Sequence, residues 1–200
     1  DMLKSKIEKP FEIHSKSRIC QGDILRDVNF LSVHNEGGIV KEILLPYLIV
    51  ISQDCDIEQF FNSNNDPLPD GVFLKNNQYL PNILFLPAFI EEHVRSGIYL
   101  KDLYNITTER LNSDLYKPIT KNKNDRYHFI KGFKDYQIPN LIVDFKNYFT
   151  LPVGYFQEIY KTTYLATINE LFRENLSVRF SNYLSRIALP EIIDLSSRNS

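Results

Sequence analysis

The sequence lacks most features of a secreted, membrane-bound or disulfide-stabilised protein. Its two cysteines, Cys20 and Cys55, are too few for a disulfide scaffold. No apolar run approaches the roughly 18 residues that span a bilayer, and the polar residues 1–6 do not resemble a signal peptide. We therefore expect a cytoplasmic protein with free thiols and no membrane partner.

The chain also has little net charge. Its 23 basic and 25 acidic residues give a formal net charge of −2, which argues against coating nucleic acid by bulk charge but permits a local basic patch. Hydrophobic residues at 43% and aromatic residues at 13% provide enough core material to exclude wholesale disorder. A length of 200 residues without an internal repeat favours one elaborated domain, 1–200.

Apolar segments rich in β-branched and aromatic residues predict strands in the first three quarters of the chain, at 20–30, 40–52, 83–89 and within 126–150. In the last of these stretches, 127–130 and 141–145 are predicted as two strands, the second running on to 152. Residues 48–51 show no polar alternation, so we expect both faces of that strand to be buried. Pro46 fits only near the start of a strand or at an edge. The composition of 35–38 predicts a turn, and that of 62–71 predicts a loop.

The last third of the chain is predicted to be helical, over 156–188. Apolar residues from Phe156 to Ile187 recur at steps of three and four, which is typical of an amphipathic helix. We expect a break at 175–177, with Ser177 as the cap of a second helix, and an end at Pro190.

The strand segments resemble the MazF/PemK family of toxins. The matching pieces are Gly22-Asp23-Ile24, 46–52, 83–87 and 141–151. The resemblance implies an α+β fold, a strongly curved, mostly antiparallel SH3-like barrel with insertions and C-terminal helices. Its core would span about 19–152, followed by a helical part at 155–190.

The catalytic positions of that family are not conserved here. Leu45 stands where the family has arginine, and Ala88 and Phe89 stand where it has threonine or serine. The resemblance therefore implies the barrel without its ribonuclease chemistry. Since the family also binds RNA and antitoxin peptides, it implies a nucleic-acid- or partner-binding module in a toxin–antitoxin or phage defence setting.

The run Ser52-Gln53-Asp54-Cys55-Asp56 follows a predicted strand and is the densest group of reactive side chains. Flanking carboxylates disfavour a thiolate at Cys55, so we expect an unreactive thiol in a polar network. The alternatives are a buried, apolar Cys55, helix caps at Ser52 or Asp54, and catalysis by Asp54, Cys55 or Asp56. We also expect Asp23 to join Ser52 and Gln53 in a polar cluster.

Two further segments suggest nucleic-acid chemistry. Basic and aromatic residues alternate in one of them and could track phosphates and stack on bases of RNA or DNA: Lys121, Lys123, Arg126, Tyr127 and Lys131. Asp144-Phe145-Lys146 is similar to the (D/E)xK element of metal-dependent nucleases, with Asp125 or Asp135 as the upstream acid.

Three classes of function remain open from the sequence. The first is the binding module. The second is an enzyme, either a metal-dependent nuclease or a ribonuclease with a relocated site. The third is an interaction subunit that contacts a protein partner and no nucleic acid. The sequence predicts no cofactor. Cys20, Cys55, His34 and a carboxylate could supply metal ligands, but no CxxC or HxxxH spacing is present, so no metal is predicted.

Overall fold

The computed structural model describes residues 9–15, 17–34, 39–64 and 78–186. The predicted turn at 35–38, most of the predicted loop at 62–71 and the predicted helix end at Pro190 lie outside these residues. The described part is an α+β fold with eight strands and six α-helices. Every strand pairing in it is antiparallel, which confirms that part of the prediction.

The strands are β1 (Phe11–Glu12), β2 (Asp23–His34), β3 (Ile39–Val50), β4 (Asn82–Ile90), β5 (Tyr127–Ile130), β6 (Leu141–Asp144), β7 (Phe149–Pro152) and β8 (Tyr164–Ile168). The helices are α1 (Asp54–Asn64), α2 (Glu91–Ser96), α3 (Lys101–Tyr104), α4 (Ser113–Thr120), α5 (Val153–Thr163) and α6 (Glu170–Leu184). Together the strands form one sheet in the order β1-β8-β2-β3-β4-β6-β5, with β7 pairing on β4.

The two ends of this sheet, β1 and β5, approach each other. The ring of Phe11 in β1 lies 6.3 Å from the ring of Phe133, just after β5. In the described part of the chain no hydrogen-bonded ladder joins β1 to β5. The sheet therefore leaves a gap between β1 and β5, and the neighbouring side chains line this gap.

The centre of the sheet is buried on both faces. Leu48 and Val50 belong to one apolar cluster, whereas Ile49 and Ile51 belong to the other, as expected when successive side chains point to opposite faces. All four are buried, which confirms the expectation for 48–51. Phe156 of α5 packs in the first cluster, and α6 contributes Leu176 and Phe180 to the second.

Pro46 lies inside β3 and not at its start. It faces Asp27 of β2, since Arg26 pairs with Tyr47 and Val28 with Leu45 on either side. Asp27 has a φ of 55°, in the left-handed region. Proline has no N–H to give to a ladder, and the irregular Asp27 position accommodates it. A position near the start of β3 is therefore wrong. The alternative of an edge agrees with the structure, because at Pro46 β3 pairs with β2 only and its pairing with β4 begins at Tyr47.

The continuous helical stripe predicted from Phe156 is also wrong. It is interrupted by β8, which pairs with β2 through Ile24 and Ala166, and the predicted break at 175–177 lies inside α6. Pairing with a strand about 140 residues away in sequence overrides the helical spacing here. Within 126–150 the two predicted strands are confirmed as β5 and β6. The second was expected to run on to Pro152, but a 3₁₀ segment at Phe145–Asn147 separates β6 from β7.

Candidate functional site

Ser52 and Asp54, in the segment after β3, accept hydrogen bonds from β4 and from the residues that precede β2. The Leu84 amide donates to Ser52 Oγ at 2.8 Å. Arg18 donates to both carboxylate oxygens of Asp54, at 3.1 and 2.9 Å, and the Gln21 amide donates at 3.0 Å. Burial opposes ionisation of Asp54, but these hydrogen bonds outweigh it and lower its pKa. Asp54 therefore anchors the segment before β2.

Cys55 is exposed on α1, so the alternative of a buried, apolar cysteine is wrong. Its thiol makes two weak polar contacts within its own segment, 3.6 Å to Gln53 Oε1 and 3.7 Å to Asp56 Oδ1. Asp56 is exposed on the same helix. These contacts agree with the expected polar surroundings of the thiol.

Asp23 lies at the centre of a buried polar network that does not include Ser52 or Gln53. Thr167 Oγ1 and His14 Nε2 lie 2.6 and 3.0 Å from Oδ1. The Cys20 amide and the Tyr160 hydroxyl each donate to Oδ2 at 2.7 Å. Asp23 is fully buried. Burial, followed by the charge of Asp23, raises the pKa of the Cys20 thiol to about 11.

Asp144 is the acceptor of a second buried network. Arg126 donates to both oxygens, at 2.8 and 2.6 Å. Tyr99 Oη and Asn147 Nδ2 donate to Oδ2 at 2.9 and 2.8 Å, and the Lys146 amide donates to Oδ1 at 3.1 Å. The Lys146 side chain is exposed. The (D/E)xK carboxylate is thus saturated by donors from the protein.

The candidate acids do not converge on one cleft. Asp23, Asp54 and Asp144 accept hydrogen bonds from three separate sets of partners. Among the described residues, Asp144 belongs to no group of three side chains that could ligate a metal together. Such a group does form elsewhere, from His14, Cys20 and Asp23. The side chain of His34 lies outside the described residues.

The predicted basic segment divides into exposed and occupied side chains. Lys121, Lys123 and Lys131 are exposed. Arg126 is bound to Asp144, with its guanidinium carbon 4.9 Å from the centre of the Tyr127 ring. The Tyr127 hydroxyl lies 3.3 Å from that of Tyr99. The three lysines are exposed, whereas Arg126 and Tyr127 are partly exposed and are engaged in contacts within the protein.

Side chains cover the outer edge of β5. Asn122 acts like a short neighbouring strand, since its amide oxygen accepts from the Phe129 N–H at 2.6 Å and its Nδ2 donates to the Phe129 carbonyl at 3.0 Å. At Tyr127, the N–H donates to Asn124 Oδ1 at 3.2 Å, and the carbonyl accepts from Arg179 at 3.0 Å. This stretch of edge is closed to an added strand.

Arg179 of α6 holds the loop before β5. Its guanidinium donates to the carbonyls of Asn122 and Asn124 as well as to Tyr127, and its Nε donates to His128 Nδ1 at 3.1 Å. Burial, and then the charge of Arg179, lowers the pKa of His128 to about 3. The imidazole is therefore a neutral acceptor.

A groove of about 510 Å³ opens where the two ends of the sheet approach each other. Its walls come from β1, β5, β8, the first half of α6 and the residues around the end of α4: Pro10, Phe11, Thr120, Asn122, His128, Phe129, Ile130, Lys131, Ile168, Leu171, Phe172 and Asn175. Leu171 and Phe172 are 62% and 45% exposed.

Of the side chains in the predicted basic and aromatic segment, Lys131 and Phe129 line this groove. Phe172 was missed, because it was assigned to the apolar stripe of the predicted helix. The group His14, Cys20 and Asp23 was missed as well, although its spacing, H-x5-C-x2-D, is local and visible in the sequence.

Comparison with known proteins found no protein-family model and no curated protein that matches the chain. The resemblance to the MazF/PemK family therefore stays a prediction. Among the described residues, no helix is both long and apolar enough to cross a membrane.

Proposed function

We propose that this chain is a binding module that receives single-stranded RNA or DNA in the groove between β1 and β5. The observation that supports this most is the groove itself, with apolar and aromatic walls and a lysine at its rim. Its volume falls within the range of ligand sites in proteins, about 300–1,000 Å³. The SH3-like barrel and a toxin–antitoxin or phage defence setting rest on the family resemblance alone and are part of the proposal.

Aromatic side chains in the groove provide stacking surfaces. Phe172 is 45% exposed, and Phe129 is partly buried on the neighbouring strand. Bases stack on such rings with little dependence on sequence, because every base has a π-face. The groove therefore favours single-stranded nucleic acid, whose bases are accessible, over a duplex.

Lysines at the rim supply the charge for phosphates. Lys131 lines the groove, and Lys121 lies between two residues that line it, Thr120 and Asn122. Lys123 is exposed two residues further along. With a net charge of −2 on the whole chain, this local patch predicts weak binding that falls steeply with salt.

Two of the candidate catalytic carboxylates are bound within the protein, which favours binding over catalysis. Asp54 and Asp144 are each held by an arginine. The pKa of the Cys20 thiol, about 11, keeps it protonated near neutral pH. A metal-dependent nuclease or a relocated-site ribonuclease stays a prediction that this geometry does not favour.

Fluorescence anisotropy with labelled single-stranded oligonucleotides of RNA and DNA tests the proposal. We expect binding at about 50 mM salt that weakens strongly by about 200 mM. Lys131→Ala should reduce the salt slope by about 1, and Phe172→Ala should cost about 1–3 kcal/mol if one base stacks on it. Lys101→Ala, at an exposed lysine on α3, is the matched control. Absence of binding at low salt would contradict the proposal. So would Lys131→Ala and Phe172→Ala variants that bind as tightly as Lys101→Ala.

A protein partner is the second candidate, because α6 has exposed apolar side chains outside the groove. Val178 and Leu184 are 59% and 49% exposed and do not line it. In this case Val178→Lys should abolish an assembly seen by light scattering and leave nucleic-acid binding unchanged. Monomeric wild-type protein at all concentrations would exclude self-association through this face.

A further inference from the structure

We propose that His14, Cys20 and Asp23 form a binding site for a zinc-type divalent transition-metal ion. The ligand atoms of the three side chains all lie within 4.8 Å of one another. His14 Nε2 and Asp23 Oδ1 are already 3.0 Å apart. The site is separate from the groove, so this inference does not depend on the proposed function.

The three donors are the types that zinc selects. Zinc binds cysteine sulfur at about 2.3 Å and histidine nitrogen or carboxylate oxygen at about 2.0–2.2 Å, in tetrahedral geometry. Those bond lengths place neighbouring donor atoms roughly 3.5 Å apart. Movements of about 1 Å therefore suffice to close the group around an ion, and water would complete the fourth position.

The backbone fixes the relative positions of two ligands in advance. The Cys20 amide donates to Asp23 Oδ2, and the Asp23 amide donates to the Cys20 carbonyl at 3.2 Å. Between them Gly22 has a φ of 89°, a left-handed conformation that favours glycine. The Gly22 amide also donates to the Val50 carbonyl at 2.8 Å, which ties the turn to β3.

Charge favours a cation at this position. The Asp23 carboxylate is fully buried, and three of its donors, the Cys20 amide and the hydroxyls of Tyr160 and Thr167, are neutral. The fourth partner, His14, is a counter-charge only when it is protonated, and a buried carboxylate without a counter-charge is costly. Of the two nearby arginines, Arg18 is bound to Asp54 and Arg173 donates to the Gln21 carbonyl at 3.1 Å. A divalent ion would compensate Asp23 and a Cys20 thiolate together.

Outer hydrogen bonds orient the carboxylate toward such an ion. Tyr160 and Thr167 donate to its two oxygens at 2.7 and 2.6 Å. Partners of this kind typically change metal affinity by about 10–100-fold when removed. The His14 side chain is 25% exposed and gives the ion a path from solvent. Binding through His14 Nε2 would replace its contacts with Asp23 Oδ1 and with the Tyr160 hydroxyl, 3.1 Å away, and would release the thiol proton of Cys20.

Titration of the full chain with Co²⁺, in the presence of a reductant that is not a thiol, tests the site. We expect one equivalent to produce a near-ultraviolet charge-transfer band from a cobalt–thiolate bond together with the visible bands of tetrahedral cobalt, and Zn²⁺ to remove both. Cys20→Ser should abolish the near-ultraviolet band, whereas the exposed Cys55→Ser should retain it. Tyr160→Phe should keep the band and weaken binding by about 10–100-fold.

Thermal unfolding with Zn²⁺ provides a readout that is independent of colour. An ion that binds only the folded state raises the melting temperature, so Zn²⁺ should stabilise the wild-type and Cys55→Ser proteins and leave Cys20→Ser unchanged. A folded wild-type protein that gives no thiolate band would overturn the proposal. A band that survives Cys20→Ser and disappears in Cys55→Ser would overturn it equally.

Discussion

Replacing Asp144 with asparagine distinguishes a structural carboxylate from a catalytic one. Asp144 is fully buried and accepts both donors of Arg126 together with hydrogen bonds from Tyr99, Asn147 and the Lys146 amide. Asparagine keeps the shape of the side chain but removes its charge and one acceptor. If the carboxylate is structural, the variant should lose stability.

The expected loss follows from the burial of the pair. Removing one partner of a buried ion pair costs about 3–5 kcal/mol. Here the Arg126 side chain is 36% exposed, so water partly solvates the guanidinium that is left behind. We therefore expect about 2–3 kcal/mol, which corresponds to a decrease in melting temperature of about 4–12 °C for a chain of this size.

Urea unfolding of Asp144→Asn, Arg126→Gln and the double variant measures the coupling directly. The neighbouring pair of Asp125 and Arg186 is the control, since both side chains are more than half exposed and such pairs contribute about 0–1 kcal/mol. If the Asp144→Asn variant proves as stable as Asp125→Asn, the structural role of Asp144 is refuted. A stable Asp144→Asn variant that loses a nuclease activity present in the wild type would refute it as well.

Three further predictions concern other positions. Because folding lowers the pKa of His128 to about 3 from 6.5, the unfolded chain takes up this proton at a higher pH than the folded chain does. Stability should therefore fall below pH 6.5 by up to about 1.4 kcal/mol per pH unit, and His128→Asn should flatten this slope in urea titrations. Gly132→Ala should destabilise the folded protein by about 1–3 kcal/mol, because the added Cβ would lie 2.5 Å from a backbone carbon. Gly154→Ala is the control, since it has open space around it, and equal unfolding midpoints of the two variants would contradict the prediction. Asn122→Ala should expose the β5 edge at Phe129, cost about 1–3 kcal/mol and promote self-association in size-exclusion chromatography, and an unchanged elution profile would argue against that edge role.

Strands could be predicted from the sequence where the local hydrophobic pattern agrees with burial in the fold. Residues 48–51 have no polar alternation, and the structure buries them between two apolar clusters. The strand β8 could not be predicted in this way. Tyr164, Leu165 and Ile168 fit a helical spacing as well as a strand, and only pairing with Asp23 and Ile24 decides between them.

The site was less predictable because its residues meet through the fold. Asp144 looked like part of a nuclease motif, and its partner Arg126 lies 18 positions earlier, on the other side of a strand pairing. The groove requires β1 and β5, which lie at opposite ends of the sheet order. No spacing in the sequence records that these two ends approach each other.

The hydrogen bond from Arg179 to the Tyr127 carbonyl joins residues 52 positions apart, and this distance matters during synthesis. Because β5 precedes α6 in the chain, it is synthesised first, and of the cover that the described residues give this edge only Asn122 and Asn124 are then present. An uncovered edge is a template for pairing with another chain. We therefore expect a growing chain to be most exposed to such pairing in the interval before Arg179 docks.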